Sequence, residues 1–283
     1  MSVTITSGEL EATFVPKLAM VGASLTHRRE ELLGMGNGVE GYRDRASTFG
    51  IPLLHPWANR LDIPLGSPLL HPDPNGIPIH GVNPSALPFD LLEQSPDRVV
   101  AEYTTERSPQ ALEVFPHPHR LEVAAEVTDS ELTIHTTLHA LGDPVPVAFG
   151  YHPYLCPPGA DRSTWEIAVP DMPQLVLDDR MLPTGASHPA HVEDGPLGTR
   201  SFDDAFGPVH DGIAFGVAGG GRTITVTFLE GYRYAQIYTP TGGQLICFEP
   251  MTAPTNALKT GEGLQTLAPG ESHTAAFRIA VGE

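Results

Sequence analysis

Short stretches in which apolar and polar residues alternate recur along the whole chain, and they predict a protein built from strands. The clearest case is a hairpin. Residues 120–126 place an apolar residue at every second position, and residues 131–138 do the same except at Thr136. Asp129-Ser130 supplies a turn between them. The same pattern predicts ten further strands, over residues 3–5, 11–15, 23–25, 98–104, 165–169, 213–217, 222–228, 234–238, 245–248 and 274–281.

No segment shows a sustained apolar period of 3.6 residues, so the pattern predicts no helix. The 29 glycines and 29 prolines are scattered over the 283 residues, which suits many short strands joined by turns. One such turn is expected at 219–221, between two predicted strands. The pattern therefore favours an all-β fold, a large antiparallel β-sandwich with few or no helices. We find no linker, repeat or low-complexity segment and expect a single domain over residues 1–283.

Charge and cysteine content narrow the possible functions. The formal net charge is −18, because 34 Asp and Glu face only 16 Lys and Arg. This balance argues against binding nucleic acid or an anionic membrane, and it makes a sugar phosphate a less favoured substrate. No apolar run approaches the 18 residues of a membrane-spanning helix, and no signal peptide is recognisable. Two cysteines form no disulfide framework, so we expect a cytoplasmic protein.

One carboxylate stands out at the end of a predicted strand. Glu249 follows the hydrophobic run 244–248 and precedes Pro250, which cannot donate a hydrogen bond to a sheet. We therefore predict that the strand ends at Glu249 and that a loop begins at the proline. An acid at this point is suited to be a base, although a solvated strand terminus would look the same.

Five segments together add a family resemblance. They are GIPLLHPWANRL (50–61), IHG (79–81), FGYHPYL (149–155), FDDAF (202–206) and CFEPMTAPTNA (247–257). In this order they resemble the aldose 1-epimerase family, the galactose mutarotase-like sugar epimerases. The resemblance implies a large β-sandwich that binds a sugar on an open concave face. It also implies an isomerase that interconverts the α and β anomers of a free aldohexose such as galactose or glucose.

Anomer interconversion opens the sugar ring by general acid–base catalysis, and this assigns roles to two residues. The resemblance makes Glu249 the general base and His152 the general acid. An imidazole with an ordinary pKa near ~6.5 can hold or release a proton around neutral pH. The two residues are far apart in sequence, so only the fold can bring them together.

Four more residues match positions that bind the sugar in the family. Arg60 offers a planar donor fork that can hold two sugar oxygens. His80 and Asp203 resemble the histidine and the aspartate that contact sugar hydroxyls, and Asn59 is expected to shape the loop beside them. Asp204 is an open alternative to Asp203, since a slip of one residue along a strand would exchange their faces. The loop 66–78 is expected to line the mouth of the site.

Alternatives to this mechanism remain open. His117 and His119 could form the edge of a metal site, but no third ligand is evident, and we expect neither a metal nor a cofactor. A glycosidase would need a pair of carboxylates, for which Asp203 and Glu249 are candidates. A carbohydrate-binding sandwich without activity, or an epimerase of a phosphorylated or sulfonated sugar, are further alternatives. The expected partner is a monosaccharide, and the expected state is a monomer or weak homodimer.

Overall fold

Strands are the main regular secondary structure of the computed structural model, which describes residues 1–283. The strands in chain order are β1 (Val3–Ser7), β2 (Leu10–Val15), β3 (Val21–His27), β4 (Glu30–Glu31), β5 (Leu53–Leu54), β6 (Asp90–Gln94), β7 (Arg98–Thr104), β8 (His119–Val127), β9 (Glu131–Ala140), β10 (Val145–Val147), β11 (Gly150–Tyr151), β12 (Tyr154–Leu155), β13 (Glu166–Ala168), β14 (Met172–Leu177), β15 (Pro183–Ala190), β16 (Gly195–Pro196), β17 (Phe202–Phe206), β18 (Ile213–Gly219), β19 (Arg222–Glu230), β20 (Tyr234–Thr239), β21 (Ile246–Met251), β22 (Gln265–Leu267) and β23 (Ser272–Gly282).

Helices are few and short. The α-helices are α1 (Gly38–Arg45), α2 (Pro109–Val114) and α3 (Ala257–Thr260), and single 3-10 turns cover Pro84–Ala86, Thr105–Arg107 and Arg162–Thr164. The longest helix has 8 residues. No helix combines the length and apolar character that crossing a lipid bilayer requires.

All strand pairs are antiparallel, and two large sheets dominate. The nine-stranded sheet has the order β16-β13-β18-β19-β23-β9-β8-β7-β6. The eight-stranded sheet has the order β15-β14-β17-β20-β21-β11-β5, and β12 pairs with β21 beside β11. A four-stranded sheet (β1 to β4) and the pair β10-β22 complete the fold. The predicted all-β sandwich with few helices is confirmed.

Aromatic contacts join the inner faces of the two large sheets. Phe248 of β21 stacks on Phe215 of β18 with ring centroids 5.4 Å apart, and Tyr151 of β11 lies 5.0 Å from Phe277 of β23. The Tyr151 hydroxyl also shares a 2.8 Å hydrogen bond with Thr136 of β9. These residues belong to or adjoin a core cluster of 55 buried residues. Because strand residues alternate between faces, the residues next to Phe248 point away from this core.

All twelve predicted strands coincide with strands of the structure, and most are extended by a few residues. The turn at 219–221 is also confirmed, since Gly219 pairs with Arg222 and both intervening glycines have positive φ. The hairpin of β14 and β15 was not predicted. Its second strand is exposed almost throughout and contains two prolines, so it lacks the apolar alternation that identifies a half-buried strand.

The prediction that the strand ends at Glu249 is wrong. β21 continues through Pro250 to Met251, because Met251 pairs with Tyr234 on one side and with Gly150 on the other. Glu249 therefore lies within a strand that has a neighbour on each side. A residue so enclosed is held more firmly than one at the start of a loop.

Candidate active site

A cavity of about 470 Å³ lies over the face of the eight-stranded sheet that points away from the core. Residues from this sheet form its floor, and the loops before β5 and after it form its walls. It is lined by Ala46, Ser47, Thr48, Asn59, Arg60, His71, Asp73, Pro74, Ile79, His80, His152, Tyr154, Asp203, Gln236, Tyr238 and Glu249. All six residues predicted to form the site are among them. Residues of the loop 66–78 also line the cavity, as expected.

Strand register brings His152 and Glu249 together. Gly150 of β11 pairs with Met251, and Tyr154 of β12 pairs with Cys247, so β11 and β12 flank β21 in one continuous register. Extending this register across the gap places His152 opposite Glu249. The imidazole Nε2 lies 3.2 Å from the Glu249 Oε1, and both side chains are buried.

Three aromatic rings fix the orientation of the His152 imidazole. Tyr154 stacks on it with centroids 4.3 Å apart and an interplanar angle of 6°. Tyr238 and His80 meet it edge-on, at 5.7 Å and 5.3 Å. The Tyr154 ring is itself held by a 2.6 Å hydrogen bond between its hydroxyl and Thr48 Oγ1. Packing on three sides leaves the imidazole little freedom to rotate.

Burial sets the protonation of the pair. Burial raises the pKa of Glu249 well above its ordinary value; the nearby Asp203 raises it further, and Arg60 opposes the shift. Burial lowers the pKa of His152. Both shifts favour the uncharged form. At neutral pH these shifts favour a protonated carboxyl group next to a neutral imidazole in the free site.

Arg60 is held by hydrogen bonds at three of its nitrogens. Its Nε donates to Asp73 Oδ2 at 2.6 Å, its Nη2 to Asp203 Oδ2 at 3.3 Å, and its Nη1 to Asn59 Oδ1 at 3.2 Å. Each terminal nitrogen carries a second N–H, so two donors stay available to a ligand. The guanidinium is thus fixed in place before any ligand arrives.

The two adjacent aspartates of β17 point to opposite faces of the sheet. Asp203 pairs with Tyr238 and lies in the cavity, where its Oδ1 accepts a 2.6 Å hydrogen bond from Gln236. Asp204 pairs with Ile237 and accepts a hydrogen bond from Gln174 instead. Burial, and then Asp203, raise the pKa of Asp204. Of the two aspartates, Asp203 is the one that reaches the cavity.

Unusual backbone conformations position Asn59 and His80. Both have positive φ, 58° and 62°, and the His80 amide donates to the Asn59 carbonyl at 2.9 Å. Gly81 follows with φ +78°, and a Cβ there would lie 2.0 Å from the carbonyl oxygen of His55. Only glycine can occupy this position, and it lets His80 turn into the cavity.

Several polar atoms of the residues that line the cavity have no hydrogen-bond partner within the protein. They include Glu249 Oε2, Gln236 Oε1 and His80 Nδ1. Buried polar atoms are nearly always paired, so unpaired atoms gathered at one place are typical of a site for a polar ligand. The cavity histidines, defined here as His71, His80 and His152, all have pKa values that burial lowers.

Among the cavity residues to which the sequence analysis assigned no individual role are His71, Asp73, Tyr154, Gln236 and Tyr238. Gln236 and Tyr238 alternate on the predicted strand 234–238, and a polar residue between buried apolar ones was a usable signal. Tyr154 belongs to the segment 149–155, one of the five that carry the family resemblance, but no role was assigned to it. No pattern identified His71 or Asp73, because both lie in an irregular loop.

The two histidines considered for a metal site are bound within the protein. His119 begins β8 and lies in the core, with its Nε2 2.8 Å from the Nε2 of His55 and its Nδ1 2.6 Å from the carbonyl oxygen of His117. The His117 Nδ1 lies 2.8 Å from the carbonyl oxygen of Pro144. Both ring nitrogens of His119 and the Nδ1 of His117 therefore contact protein atoms.

The fold and the cavity define a class: an antiparallel sandwich with a polar cavity of about 470 Å³ and a buried pair of histidine and glutamate at its floor. A family model described as aldose 1-epimerase matches residues 1–280. The chain belongs to the aldose 1-epimerase family, and with that to the isomerases. The resemblance and the enzyme class inferred from the sequence are confirmed.

Solved structures with the same fold span the whole chain. A galactose mutarotase-like protein from Clostridium acetobutylicum has a TM-score of 0.85 at 19% identity and covers 100% of this chain and 95% of its own. An aldose epimerase homologue from C. elegans has a TM-score of 0.80 at 16% identity, with coverage of 100% and 99%. A galactose 1-epimerase from Lactobacillus acidophilus NCFM has a TM-score of 0.75 at 13% identity, with coverage of 100% and 94%. No curated protein matches the chain.

Proposed function

We propose that this protein is a mutarotase that interconverts the α and β anomers of a free aldohexose such as galactose or glucose. The observation that carries the proposal is the buried contact of 3.2 Å between His152 and Glu249 at the floor of a polar cavity. Family membership supports the reaction class. The cavity of about 470 Å³ has room for a monosaccharide.

Glu249 and His152 divide the proton transfers between them. Glu249 removes the proton of the C1 hydroxyl, while His152 donates a proton to the ring oxygen. The bond between C1 and the ring oxygen breaks, and C1 becomes a carbonyl carbon. The C1–C2 bond then rotates, which presents the other face of the carbonyl carbon. The hydroxyl formed from the former ring oxygen attacks this face and gives its proton to His152, while Glu249 returns its proton to the carbonyl oxygen. The ring is thereby closed with the opposite configuration at C1.

Before sugar binds, the favoured protonation of the His152–Glu249 pair supplies the single proton that this cycle requires. While the open-chain sugar is bound, the proposed mechanism requires a protonated Glu249 beside a neutral His152. Burial favours this same distribution in the free site. Ring opening therefore begins with one proton passing from Glu249 to His152, and the 3.2 Å separation allows direct transfer.

Arg60, His80, Asp203 and Asn59 are proposed to hold the sugar. Arg60 lines the cavity and retains one unused N–H donor on each terminal nitrogen, and Asp203 offers carboxylate oxygens beside it. His80 has an unpaired Nδ1 and packs against the His152 ring. Asn59 acts mainly through Arg60, because its Oδ1 accepts from both the amide and the Nη1 of that residue.

Mutarotation can be tested with freshly dissolved α-anomers of several aldoses, followed by polarimetry or NMR saturation transfer. We expect the protein to speed the change in optical rotation for at least one of them. Glu249→Gln keeps the size of the side chain and removes the base, so turnover should fall about 10²- to 10⁴-fold. Glu230→Gln, an exposed acid at the end of β19, is the matched control and should retain full activity.

Two outcomes would contradict this proposal. Near wild-type turnover in Glu249→Gln would remove the base from the mechanism. Sugar binding without any effect on optical rotation would identify a carbohydrate-binding protein, and release of reducing sugar from a glycoside would identify a hydrolase.

We further propose a single domain, a monomeric or weakly dimeric state and a cytoplasmic location. The two free cysteines, Cys156 and Cys247, support a reducing compartment. Core residues from Val3 to Val281 belong to one cluster, which supports a single domain.

A further inference from the structure

Arg60 contacts a second carboxylate besides that of Asp203. This is the carboxylate of Asp73, in the loop 66–78 that lines the cavity. Asp73 accepts the Nε proton of Arg60 at 2.6 Å, a shorter contact than the 3.3 Å between Arg60 and Asp203. The Asp73 side chain is 1% exposed and the Arg60 side chain 10% exposed. A buried ion pair is weakly screened by solvent, so each charge depends strongly on its partner.

Asp73 is itself rigidly placed. Its Oδ1 accepts the backbone amides of Asn75 and Ile77, both at 2.9 Å, and its own amide donates to the Ile77 carbonyl at 2.8 Å. Although burial alone would raise it, the Arg60 contact and these amides lower the pKa of Asp73. The carboxylate is therefore ionised, and it links a self-contained turn to the arginine.

The cavity carries an excess of negative charge. Arg60 is the only basic residue other than histidine among those that line it, and burial keeps the cavity histidines neutral. Even when Glu249 is protonated, the carboxylates of Asp73 and Asp203 outnumber the single guanidinium. A phosphate or sulfonate group in this cavity would find the positive charge of Arg60 already paired with two carboxylates.

We propose that Asp73 is a positioning and specificity-determining residue, which holds Arg60 by its Nε and balances its charge so that the cavity accepts uncharged sugars and rejects anionic ones. This inference rests on the proposed function, since it takes the ligand to be a sugar. Without Asp73, Arg60 would keep one carboxylate partner and regain a free donor. The net charge of the cavity would then be close to zero, and Arg60 could form an ion pair with the phosphate or sulfonate of a modified sugar.

The test compares Asp73→Asn with the wild type. Dissociation constants for glucose, galactose and their 6-phosphates are measured by calorimetry. Asparagine has a single oxygen, so it cannot both close the turn and accept from Arg60 without placing its amide N–H₂ against a donor. We therefore expect the preference for the uncharged sugar over its phosphate to fall by roughly tenfold or more.

Two further variants separate charge from position. Asp73→Glu keeps the charge but displaces the carboxylate, so it should retain the preference for uncharged sugars while kcat falls. Asp73→Ser removes the charge but can still cap the turn through its hydroxyl, and it replaces Asp73→Asn if that variant does not fold. Asp62→Asn is the matched control, since Asp62 forms ion pairs with Arg180 and Lys259 outside the cavity.

Inorganic phosphate provides a measurement that does not depend on mutarotation. It is titrated into each variant, and the histidine ring resonances are followed by NMR. Asp73→Asn should bind phosphate roughly tenfold more tightly than the wild type does. An unchanged ratio of sugar affinities together with unchanged phosphate binding would overturn the role of Asp73, as would a loss of preference in Asp73→Glu equal to that in Asp73→Asn. A wild type that is inactive on all free aldoses would instead contradict the proposed function alone.

Discussion

At the scale of single residues, the proposed chemistry depends on one proton shared by two buried groups. His152 and Glu249 are in contact, and each is surrounded by residues that offer its charge little solvation. A pair of this kind titrates in two macroscopic steps that belong to the pair. The step at low pH adds a second proton, and the step at high pH removes the last one.

The pH dependence of kcat/KM should therefore be broad. Burial lowers the pKa of His152 from its ordinary 6.5 and raises that of Glu249 from its ordinary 4.5, so the singly protonated pair persists over a wide range. Protonation of the neutral His152 produces the acidic limb, which we expect near its lowered pKa of about 3. Loss of the Glu249 proton produces the alkaline limb, which we expect well above pH 4.5. The profile is measured with the α-anomer of an accepted aldose at pH values where circular dichroism shows folded protein. A narrow bell with both limbs between 4.5 and 6.5 would contradict the neutral pair.

At the scale of elements, loops and strands share the work of building the site. The eight-stranded sheet positions Glu249, Asp203 and Gln236 through fixed register. The loops position Asn59 and His80 through positive-φ backbone conformations that few residues tolerate, and they hold Arg60 by hydrogen bonds to Asp73 and Asn59. One contact between these two parts of the site is the Arg60–Asp203 hydrogen bond.

Substituting Gly81 should disturb this loop much more than substituting another glycine of similar conformation. Gly81 and Gly76 both have φ +78°, but a Cβ at Gly81 would collide with the His55 carbonyl, while none of the protein lies within 4 Å of one at Gly76. Gly76→Ala should cost ~1–2 kcal/mol through the left-handed backbone alone. Gly81→Ala should cost clearly more and should weaken sugar binding by displacing His80. Urea unfolding and calorimetry measure the two effects, and equal losses in both variants would contradict the steric argument.

At the scale of the whole molecule, the interior contains an unusual number of neutral histidines. Burial lowers the pKa of His55, His80, His119 and His152, and that of His119 falls to about 4. The unfolded chain binds protons at these groups near pH 6.5, whereas the folded protein does not. Lowering the pH below 6.5 therefore favours unfolding.

The free energy of unfolding should fall between pH 7 and pH 4.5, as measured by urea denaturation. His119 alone should account for roughly 2 to 3 kcal/mol of this loss, at about 1.4 kcal/mol per pH unit. Glu249 acts in the opposite direction, because its raised pKa makes the folded state hold a proton that the unfolded chain releases. His119→Gln should flatten the pH dependence, and His188→Gln, at an exposed position of β15, should not. Equal slopes for the two variants would exclude His119 as a source of the acid sensitivity.

The sequence by itself determined the strands that alternate, the all-β class and, through five short segments, the family. These features depend on local periodicity or on residues adjacent in the chain, and both can be read without coordinates. It also selected six residues that all line one cavity, although their roles stay predictions. Only the tertiary structure decided that β21 runs on past Pro250, because that depends on pairing with two other strands. Only the tertiary structure showed that Asp73 contacts Arg60, because a residue in an irregular loop follows no sequence periodicity from which its contacts could be predicted. The protonation of His152 and Glu249 was likewise decided by burial, a property that belongs to the folded molecule and to no segment of it.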